Sequence, residues 1–266
     1  MAVEENSNLA AEPGKPGFDP LVTRPNSGRV FMGQRRVRLG DADPLGRLRL
    51  DSVARYLQDV ASEDVFETGW GSPDHFWLVR RTLIQQLQSI SFEEMVELTT
   101  WSSGTASSTA SRRTTLAGER GGLVEAETVW VHLGRELRPE RFGGNFFEVY
   151  GHSANGRRIS PRLELSDPPA AERLPWPLRR PDMDVLGHLN NAAYWEAVED
   201  TAARKGFDLA GPLEALLEFR QPIDLEDDVE LLCSSEEGCF QLGLAVADSV
   251  RAVAALRRGR SPADER

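Results

Sequence analysis

Segments of alternating apolar and polar positions recur in both halves of this chain, and each half also contains one helical stripe. Between Leu50 and Val65, apolar residues recur three and four positions apart, which predicts an amphipathic helix ending near Gly69. A second stripe runs from Asn191 to Ala202. Strand patterns precede the first helix, at 30–39, and follow both helices, bounded by glycine, serine and acidic residues. The segments after the helices are 76–90, 96–103, 111–116, 123–133, 213–220, 229–233, 239–246 and 250–256.

This order of elements predicts an α+β fold, in which each half wraps an antiparallel sheet around one long helix. A stretch rich in Gly, Pro and Arg, at 143–177, separates the two patterns and indicates a connection with a short strand at its start. The predicted division is a flexible tail at 1–28, a first domain at 29–150, a linker at 151–174, a second domain at 175–258 and a flexible tail at 259–266.

An internal repeat supports two related halves. Residues 41–48 and 182–189 share the pattern Asp-x-Asp-x-Leu-Gly-[Arg/His]-Leu at an offset of 141 residues. Each copy stands immediately before a predicted helix, and strands follow in both cases. We therefore expect two copies of one unit that lie side by side, like a dimer fused into a single chain.

The charge and composition exclude several classes of protein. The net charge of −11 disfavours a nucleic-acid-binding protein. No apolar run reaches about 18 residues, so no membrane span is expected, and the first residues do not form a signal peptide. Cys233 and Cys239 are expected to be free buried thiols, although pairing across a hairpin is left open. No Cys/His spacing indicates a metal site, and we expect a cytoplasmic protein.

The second copy carries a motif of known type. The segment from Asp182 to Tyr194 resembles the signature of hotdog thioesterases, Asp-x-Asp-x-x-Gly-His-x-Asn-Asn-x-x-Tyr, at each defining position. Residues 30–256 are further similar to the acyl-[acyl carrier protein] (acyl-ACP) thioesterases, in which two hotdog domains are fused. The resemblance implies a tandem hotdog fold and hydrolysis of fatty acyl thioesters without a cofactor.

Thioester hydrolysis needs a base or nucleophile, and the resemblance implies that Asp184 has this role. His188 would orient water or protonate the leaving thiolate. Asp before a helix is also a common cap, and a histidine there is often structural, so each residue keeps that second interpretation. Asn190 and Asn191 are candidates for holding the loop and the helix start.

The start of the second helix also offers backbone donors. Because helix N-termini carry unpaired N–H groups and a positive dipole end, the amides of Gly187, His188 and Leu189 are candidate oxyanion donors.

Two positions depart from the plant acyl-ACP thioesterases. Leu186 stands where that family has an amide side chain, and Pro222 stands where it has a glutamate. In the first copy, Asp43 matches the catalytic aspartate of 4-hydroxybenzoyl-CoA thioesterases, but Arg47 replaces the histidine. We interpret the first copy as a degenerate site that shapes the acyl tunnel, with Asp43 as a candidate second base.

The substrate partner is expected to be acyl carrier protein or the phosphates of coenzyme A, and either favours an arginine-rich rim. The candidates for this rim are Arg112, Arg113, Arg179 and Arg180. An acyl-CoA thioesterase shares the chemistry and differs only at the rim. A non-catalytic acyl-binding module is the alternative from another class, whereas no hydratase motif is visible. Whether two chains pair into a homodimer stays open.

Overall fold

One antiparallel sheet of ten strands is the framework of the described part of the chain. The computed structural model describes residues 17–70, 76–169, 172–236 and 238–259. The strands are β1 (Phe31–Arg36), β2 (Phe76–Gln88), β3 (Met95–Thr105), β4 (Thr109–Gly118), β5 (Leu123–Leu133), β6 (Glu172–Trp176), β7 (Leu213–Phe219), β8 (Val229–Glu236), β9 (Cys239–Val246) and β10 (Ser249–Arg258). The helices are α1 (Leu50–Thr68), α2 (Gly144–Tyr150) and α3 (Asn191–Arg204). The predicted α+β fold is confirmed.

The strand order repeats between the halves. The sheet runs β1-β3-β4-β5-β2-β7-β10-β9-β8-β6, so each half contributes five strands in equivalent positions, in opposite order. The halves meet where β2 pairs with β7, from Arg81 opposite Glu218 to Gln86 opposite Leu213. Backbone hydrogen bonds therefore continue across the boundary, which joins the halves into one sheet.

The two long helices pack against each other and share one apolar core with the sheet. Leu50, Val53 and Val60 of α1 and Trp195 and Val198 of α3 are all almost fully buried in it. Their spacing of three and seven residues puts them on one face of each helix, which explains why the stripes are visible in the sequence. α1 ends at Gly69, whose φ of 63° continues the chain in a left-handed turn.

The stretch at 143–177 contains more structure than its composition predicts. Its start forms the helix α2 instead of the expected short strand, and its end forms β6, which pairs with β8. α2 has only seven residues, and Phe146 and Tyr150 are its buried side chains. Such a short helix depends on contacts with the rest of the fold rather than on intrinsic propensity, so the sequence pattern did not reveal it.

Part of the predicted N-terminal tail lies against the sheet. The Gln85 side-chain amide donates to the carbonyl of Asp19 at 3.0 Å, and Arg113 Nε donates to the carbonyl of Val22 at 3.0 Å. Residues 1–16 and 260–266, which the composition also assigns to tails, lie outside the described residues.

A partly buried ion pair between Arg157 and Glu127 links the connection between the halves to β5. Arg157 bonds the carboxylate of Glu127 with both terminal nitrogens, and Ser103 Oγ donates to the same carboxylate at 2.7 Å. Burial opposes ionisation of Glu127, but the hydrogen bonds from Arg157 and Ser103 outweigh it and lower the pKa of this carboxyl.

Glu127→Gln is therefore expected to lower the free energy of unfolding by about 1.5–3 kcal/mol at neutral pH. A lowered folded-state pKa adds stability above the ordinary glutamate pKa, and this stability is lost as the pH falls through the folded-state value. Urea denaturation at pH 7 and at pH 3 measures the effect, and the difference between variant and wild type should shrink in acid. A difference that stays constant with pH would contradict the assignment.

Candidate active site

A cavity of about 680 Å³ lies beside α1 and reaches the second repeat loop. We call it the α1 cavity. Its α1 wall follows one stripe of the helix, formed by Gln58, Ala61, Ser62, Val65, Phe66 and Gly69. At a rise of about 1.5 Å per residue, this stripe is roughly 16 Å long. The cavity is therefore elongated, which suits a linear chain better than a compact ligand.

The two ends of the α1 cavity differ in chemistry. Near Gln58 the wall is polar and consists of Asp184, Asn190 and Asn191, all from the second half. The other walls include four aromatic residues: Trp77, Trp130, Phe146 and Tyr150. Tyr150 lies beside the C-terminal turn of α1, with its hydroxyl 3.4 Å from Thr68 Oγ1. The helix α2, which the sequence did not reveal, thus supplies two of these four aromatic residues.

Asp184 has one carboxylate oxygen held and one free. Its Oδ1 accepts the backbone N–H of Leu186 at 2.8 Å and that of His188 at 3.2 Å. Its Oδ2 has no hydrogen-bond donor within the described part of the chain, and the residue lines the α1 cavity. The loop therefore fixes the carboxylate while leaving one oxygen available to water or substrate.

His188 has a carboxylate partner that the sequence did not identify. Its Nδ1 lies 2.6 Å from Asp224 Oδ1. Asp224 follows Pro222 by two positions, in the turn after β7 that also pairs with His188 through an isolated bridge. Asp224 thus places a carboxylate beside His188, two positions after the proline that stands where the plant family has a glutamate. In the sequence, Asp224 is visible only as an acidic residue shortly after Pro222. The geometry of the turn is needed to show that His188 is its partner.

The loop amides considered as oxyanion donors are already engaged. The N–H of Gly187 donates to the Asp184 carbonyl at 3.0 Å, that of His188 to Asp184 Oδ1, and that of Leu189 to the Ile223 carbonyl at 2.8 Å. Their hydrogens serve to fold the loop, so none is left for a substrate oxygen. Gly187 adopts a φ of 82°, which is the conformation that the tight turn needs from glycine.

The two asparagines at the start of α3 divide the expected tasks. Asn190 caps the helix, because its Oδ1 accepts the N–H of Ala192 at 2.9 Å. Asn191 is the first helical residue, and its backbone N–H has no acceptor among the residues that the structure describes. Since Asn191 also lines the α1 cavity, it offers a free donor at the positive end of the α3 dipole.

The first repeat loop has the same backbone but different chemistry. Asp43 Oδ1 accepts the N–H of Leu45 and that of Arg47, each at 2.9 Å, as Asp184 Oδ1 does in the second loop. Its Oδ2, however, is bound by Arg47 Nε at 3.1 Å, and Arg47 also pairs with Glu199 of α3. The oxygen that is free in Asp184 is thus occupied in Asp43, which supports a degenerate first site.

The predicted arginine rim is only partly available. Arg113 is almost fully buried and bonds the carbonyl of Ala126, and Arg112 lines the α1 cavity and is held by buried Asp64 at 2.7 Å. Burial removes both from an exposed rim, which corrects this part of the prediction. Arg179 is exposed but paired with Asp182 and Glu196, and Arg180 is exposed.

The described residues contain neither a metal-binding cluster nor a membrane-spanning helix. No cluster of three or more His, Cys, Asp or Glu side chains there could hold a metal ion. None of the helices found there is both long and apolar enough to cross a membrane.

A repeated unit of one long helix on an antiparallel sheet, with an aspartate loop at the helix start, defines a fused hotdog protein of the thioesterase type. The family models for the acyl-ACP thioesterase N-terminal domain and C-terminal domain match residues 28–142 and 166–253. The chain belongs to the acyl-ACP thioesterase family, and it is a thioester hydrolase.

Several known proteins are similar to this chain in sequence or in fold. An uncharacterised protein of Mycobacterium tuberculosis is 31% identical over 240 residues, which cover 90% of this chain and 96% of the relative. The acyl-ACP thioesterase structure from Bacteroides thetaiotaomicron matches with a TM-score of 0.72 and 16% identity, over 86% of this chain and 97% of that chain. The 12:0-ACP thioesterase from Umbellularia californica matches with a TM-score of 0.71 and 18% identity, over 87% and 98%. These likenesses confirm the tandem hotdog fold.

Proposed function

We propose that the chain releases free fatty acids from acyl carrier protein by hydrolysis at the polar end of the α1 cavity, with Asp184 as the base. The observation that carries this proposal is the free Oδ2 of Asp184, whose Oδ1 is held by two backbone amides, at the wall of an elongated cavity that also has aromatic walls. The acyl chain lies along the α1 stripe, and the thioester carbonyl lies near the start of α3.

In this proposal Asp184 accepts a proton from water, and the water oxygen attacks the carbonyl carbon. The backbone N–H of Asn191 and the α3 dipole stabilise the negative charge that develops on the carbonyl oxygen. The carbon–sulfur bond then breaks, and the thiolate leaves as a fairly stable anion. Direct attack by Asp184 on the carbonyl carbon is the alternative use of the same oxygen.

His188 assists from the other side of the loop. An ionised Asp224 accepts a hydrogen bond from Nδ1–H, which leaves Nε2 as the atom that orients water or delivers a proton to the thiolate. The pairing gives His188 a fixed ring orientation, the function that an acidic partner has in other histidine-dependent hydrolases.

Asp224→Asn is expected to lower kcat about tenfold, and Asp224→Ala to lower it further, because the amide oxygen of asparagine can still accept from Nδ1–H whereas alanine cannot. Steady-state hydrolysis of an acyl-ACP substrate measures both values. Glu226→Gln, in the same exposed turn, is the matched control and should retain wild-type kcat. Equal activity of Asp224→Ala and wild type would remove Asp224 from the mechanism.

The experiment that tests the proposed function compares hydrolysis of acyl-ACP and acyl-CoA substrates of several chain lengths. A higher kcat/KM with carrier-bound substrates is expected. A preference for acyl-CoA would instead favour the 4-hydroxybenzoyl-CoA-thioesterase-like alternative, and binding of both without turnover would favour an acyl-binding protein. Arg180 is the rim candidate that remains for contact with an acidic carrier, and Arg180→Glu should raise KM for acyl-ACP.

Two further features belong to the proposal. We place the protein in the cytoplasm, in line with the free thiols of Cys233, which is buried, and Cys239, which is exposed rather than buried as expected. Pairing of two fused chains into a homodimer is left open, and analytical ultracentrifugation would measure it.

A further inference from the structure

We propose that Gln58, from α1 of the first half, donates a hydrogen bond to the thioester carbonyl oxygen at the site of the second half. The inference rests on the proposed function, because it places the reacting carbonyl beside Asp184 and Asn191. It means that one active site is assembled from both halves, and that the degenerate first half is needed for chemistry as well as for holding the acyl chain.

The orientation of the Gln58 amide follows from the hydrogen bonds around it. Asn190 Oδ1 accepts the backbone N–H of Ala192, so the oxygen of that side chain faces the start of α3. Gln58 Nε2 lies 3.5 Å from the same oxygen, which requires the nitrogen, not the oxygen, of Gln58 to face this point. The amide therefore directs its N–H groups toward the polar end of the α1 cavity.

One of these two hydrogens is available to a substrate. The bond to Asn190 is long and uses one hydrogen, and no other acceptor for Nε2 is found in the described ranges. Gln58 is partly buried and lines the cavity together with Asp184 and Asn191. A carbonyl oxygen bound there would have two donors, the side chain of Gln58 and the backbone N–H of Asn191.

The repeat provides an internal comparison. At the offset of 141 residues, Gln58 corresponds to Glu199 of α3. The side chain of Glu199 reaches the start of α1, where its Oε2 accepts the N–H of Leu50 at 2.7 Å. Glu199 also pairs with Arg47. In each helix, the residue eight positions after the first one thus reaches the start of the other helix. Both contacts follow from the packing of α1 against α3.

The side chains at these two helix contacts differ as expected if only the second site is catalytic. In the first site a carboxylate (Glu199) blocks the helix amide and neutralises Arg47, and both are buried. In the second site the corresponding residues are Gln58 and His188, and neither carries a fixed charge. A carboxylate at position 58 would repel both Asp184 and a carbonyl oxygen that gains negative charge, whereas an amide donates to that oxygen.

The reaction step balances without a further reactant. The water oxygen bonds to the carbonyl carbon, its proton goes to Asp184, and the carbonyl oxygen becomes an oxyanion bound by Gln58 Nε2–H and Asn191 N–H. When the carbonyl double bond re-forms, the carbon–sulfur bond breaks, and the thiolate takes the proton that Asp184 accepted, directly or through His188, which returns Asp184 to its carboxylate form. Gln58 exchanges no proton and acts only as a hydrogen-bond donor.

The test uses two substitutions that keep the size of the side chain. Gln58→Met removes the donor, and we expect kcat with acyl-ACP to fall about a hundredfold with little change in KM. Gln58→Glu replaces the donor by an acid. Its kcat should lie below that of Gln58→Met at pH 8 and rise above it as the pH falls, because the protonated carboxyl donates again. Asp59→Asn, the exposed neighbour on α1, is the matched control.

Binding separates a contact with the carbonyl from a general structural effect. A non-hydrolysable ketone analogue of the acyl thioester retains the carbonyl, whereas a thioether analogue lacks it. Gln58→Met should weaken binding of the ketone analogue about tenfold and leave binding of the thioether analogue unchanged. Equal weakening of both, or a kcat within threefold of wild type, would overturn the proposal for Gln58.

Asp184→Asn, measured beside these variants, separates this proposal from the proposed function. An active Gln58→Met with an inactive Asp184→Asn rejects only the role of Gln58. An active Asp184→Asn with the pH-dependent loss in Gln58→Glu rejects the base and retains the carbonyl donor. If neither substitution lowers turnover, the site lies elsewhere and both proposals fail.

Discussion

Replacing Asp184 by asparagine is expected to lower kcat about a thousandfold while the protein remains folded. The asparagine oxygen can still accept the amides of Leu186 and His188, so the loop keeps its shape. What is lost is the free carboxylate oxygen, the only group that the proposal assigns as base or nucleophile. Single-turnover hydrolysis of an acyl-ACP substrate measures the effect apart from product release.

Asp43→Asn, at the equivalent position of the first loop, gives a contrast within the same molecule. Arg47 occupies the second oxygen of Asp43, and we therefore expect kcat to stay within about twofold of wild type. A loss of kcat similar to that of Asp184→Asn would show a second working site. Full turnover by Asp184→Asn would instead reject the assignment of the base.

Arg47→Met is expected to cause the largest loss of stability, about 3–5 kcal/mol in the free energy of unfolding. Arg47 is 6% exposed and pairs with both Asp43 and Glu199, so its removal leaves two largely buried carboxylates without their cation. Urea denaturation measures the change. The double substitution Arg47→Met/Glu199→Gln should recover the part of the loss that comes from Glu199, because the neutral amide oxygen can still accept the N–H of Leu50, whereas Asp43 remains without its cation.

The pH dependence of this loss has a defined sign. Burial raises the pKa of Glu199 despite the lowering effect of Arg47, so the ionised form is disfavoured in the folded protein. A raised folded-state pKa stabilises the protein in acid, and this contribution disappears as the pH rises through the folded-state value. Without Arg47 the pKa of Glu199 rises further. The deficit of Arg47→Met should therefore be larger at pH 8 than at pH 5, and an equal deficit would contradict the role of Glu199.

Much of the fold could be predicted because its elements are long and periodic. The stripe from Leu50 to Val65 predicted α1, and the alternating segments 123–133 and 239–246 coincide with β5 and β9. When one face of a helix or strand is buried, apolar residues recur in the sequence with the period of that element. Such elements can therefore be recognised from the sequence alone. The helix α2 is short and owes its existence to aromatic contacts from distant residues, such as Trp70 with Phe146, which leave no local pattern.

The candidate site likewise contains residues that could be predicted from local sequence and residues that could not. The residues of the second loop are contiguous, so Asp184, His188 and Asn191 could be named from the motif alone. Asp224 and Gln58 could not, because they reach the loop from a turn 36 residues later and from a helix 132 residues earlier. The arginine pair at 112–113 looked like a rim in the sequence. The alternation of β4 instead directs Arg112 into the cavity wall and Arg113 to the other face of the sheet, where the segment around Val22 covers it.

The sequence by itself determined the two-fold repeat, the helical and strand periodicities, and the aspartate loop, since each is a local pattern imposed by burial or by a tight turn. Only the tertiary structure decided which aspartate keeps a free oxygen and which residue meets it from the other half. The physical reason is that ion pairs and hydrogen bonds form between residues that are close in space, however far apart they are in the chain. The packing of α1 on α3 brings Arg47 to Glu199 and Gln58 to Asn190.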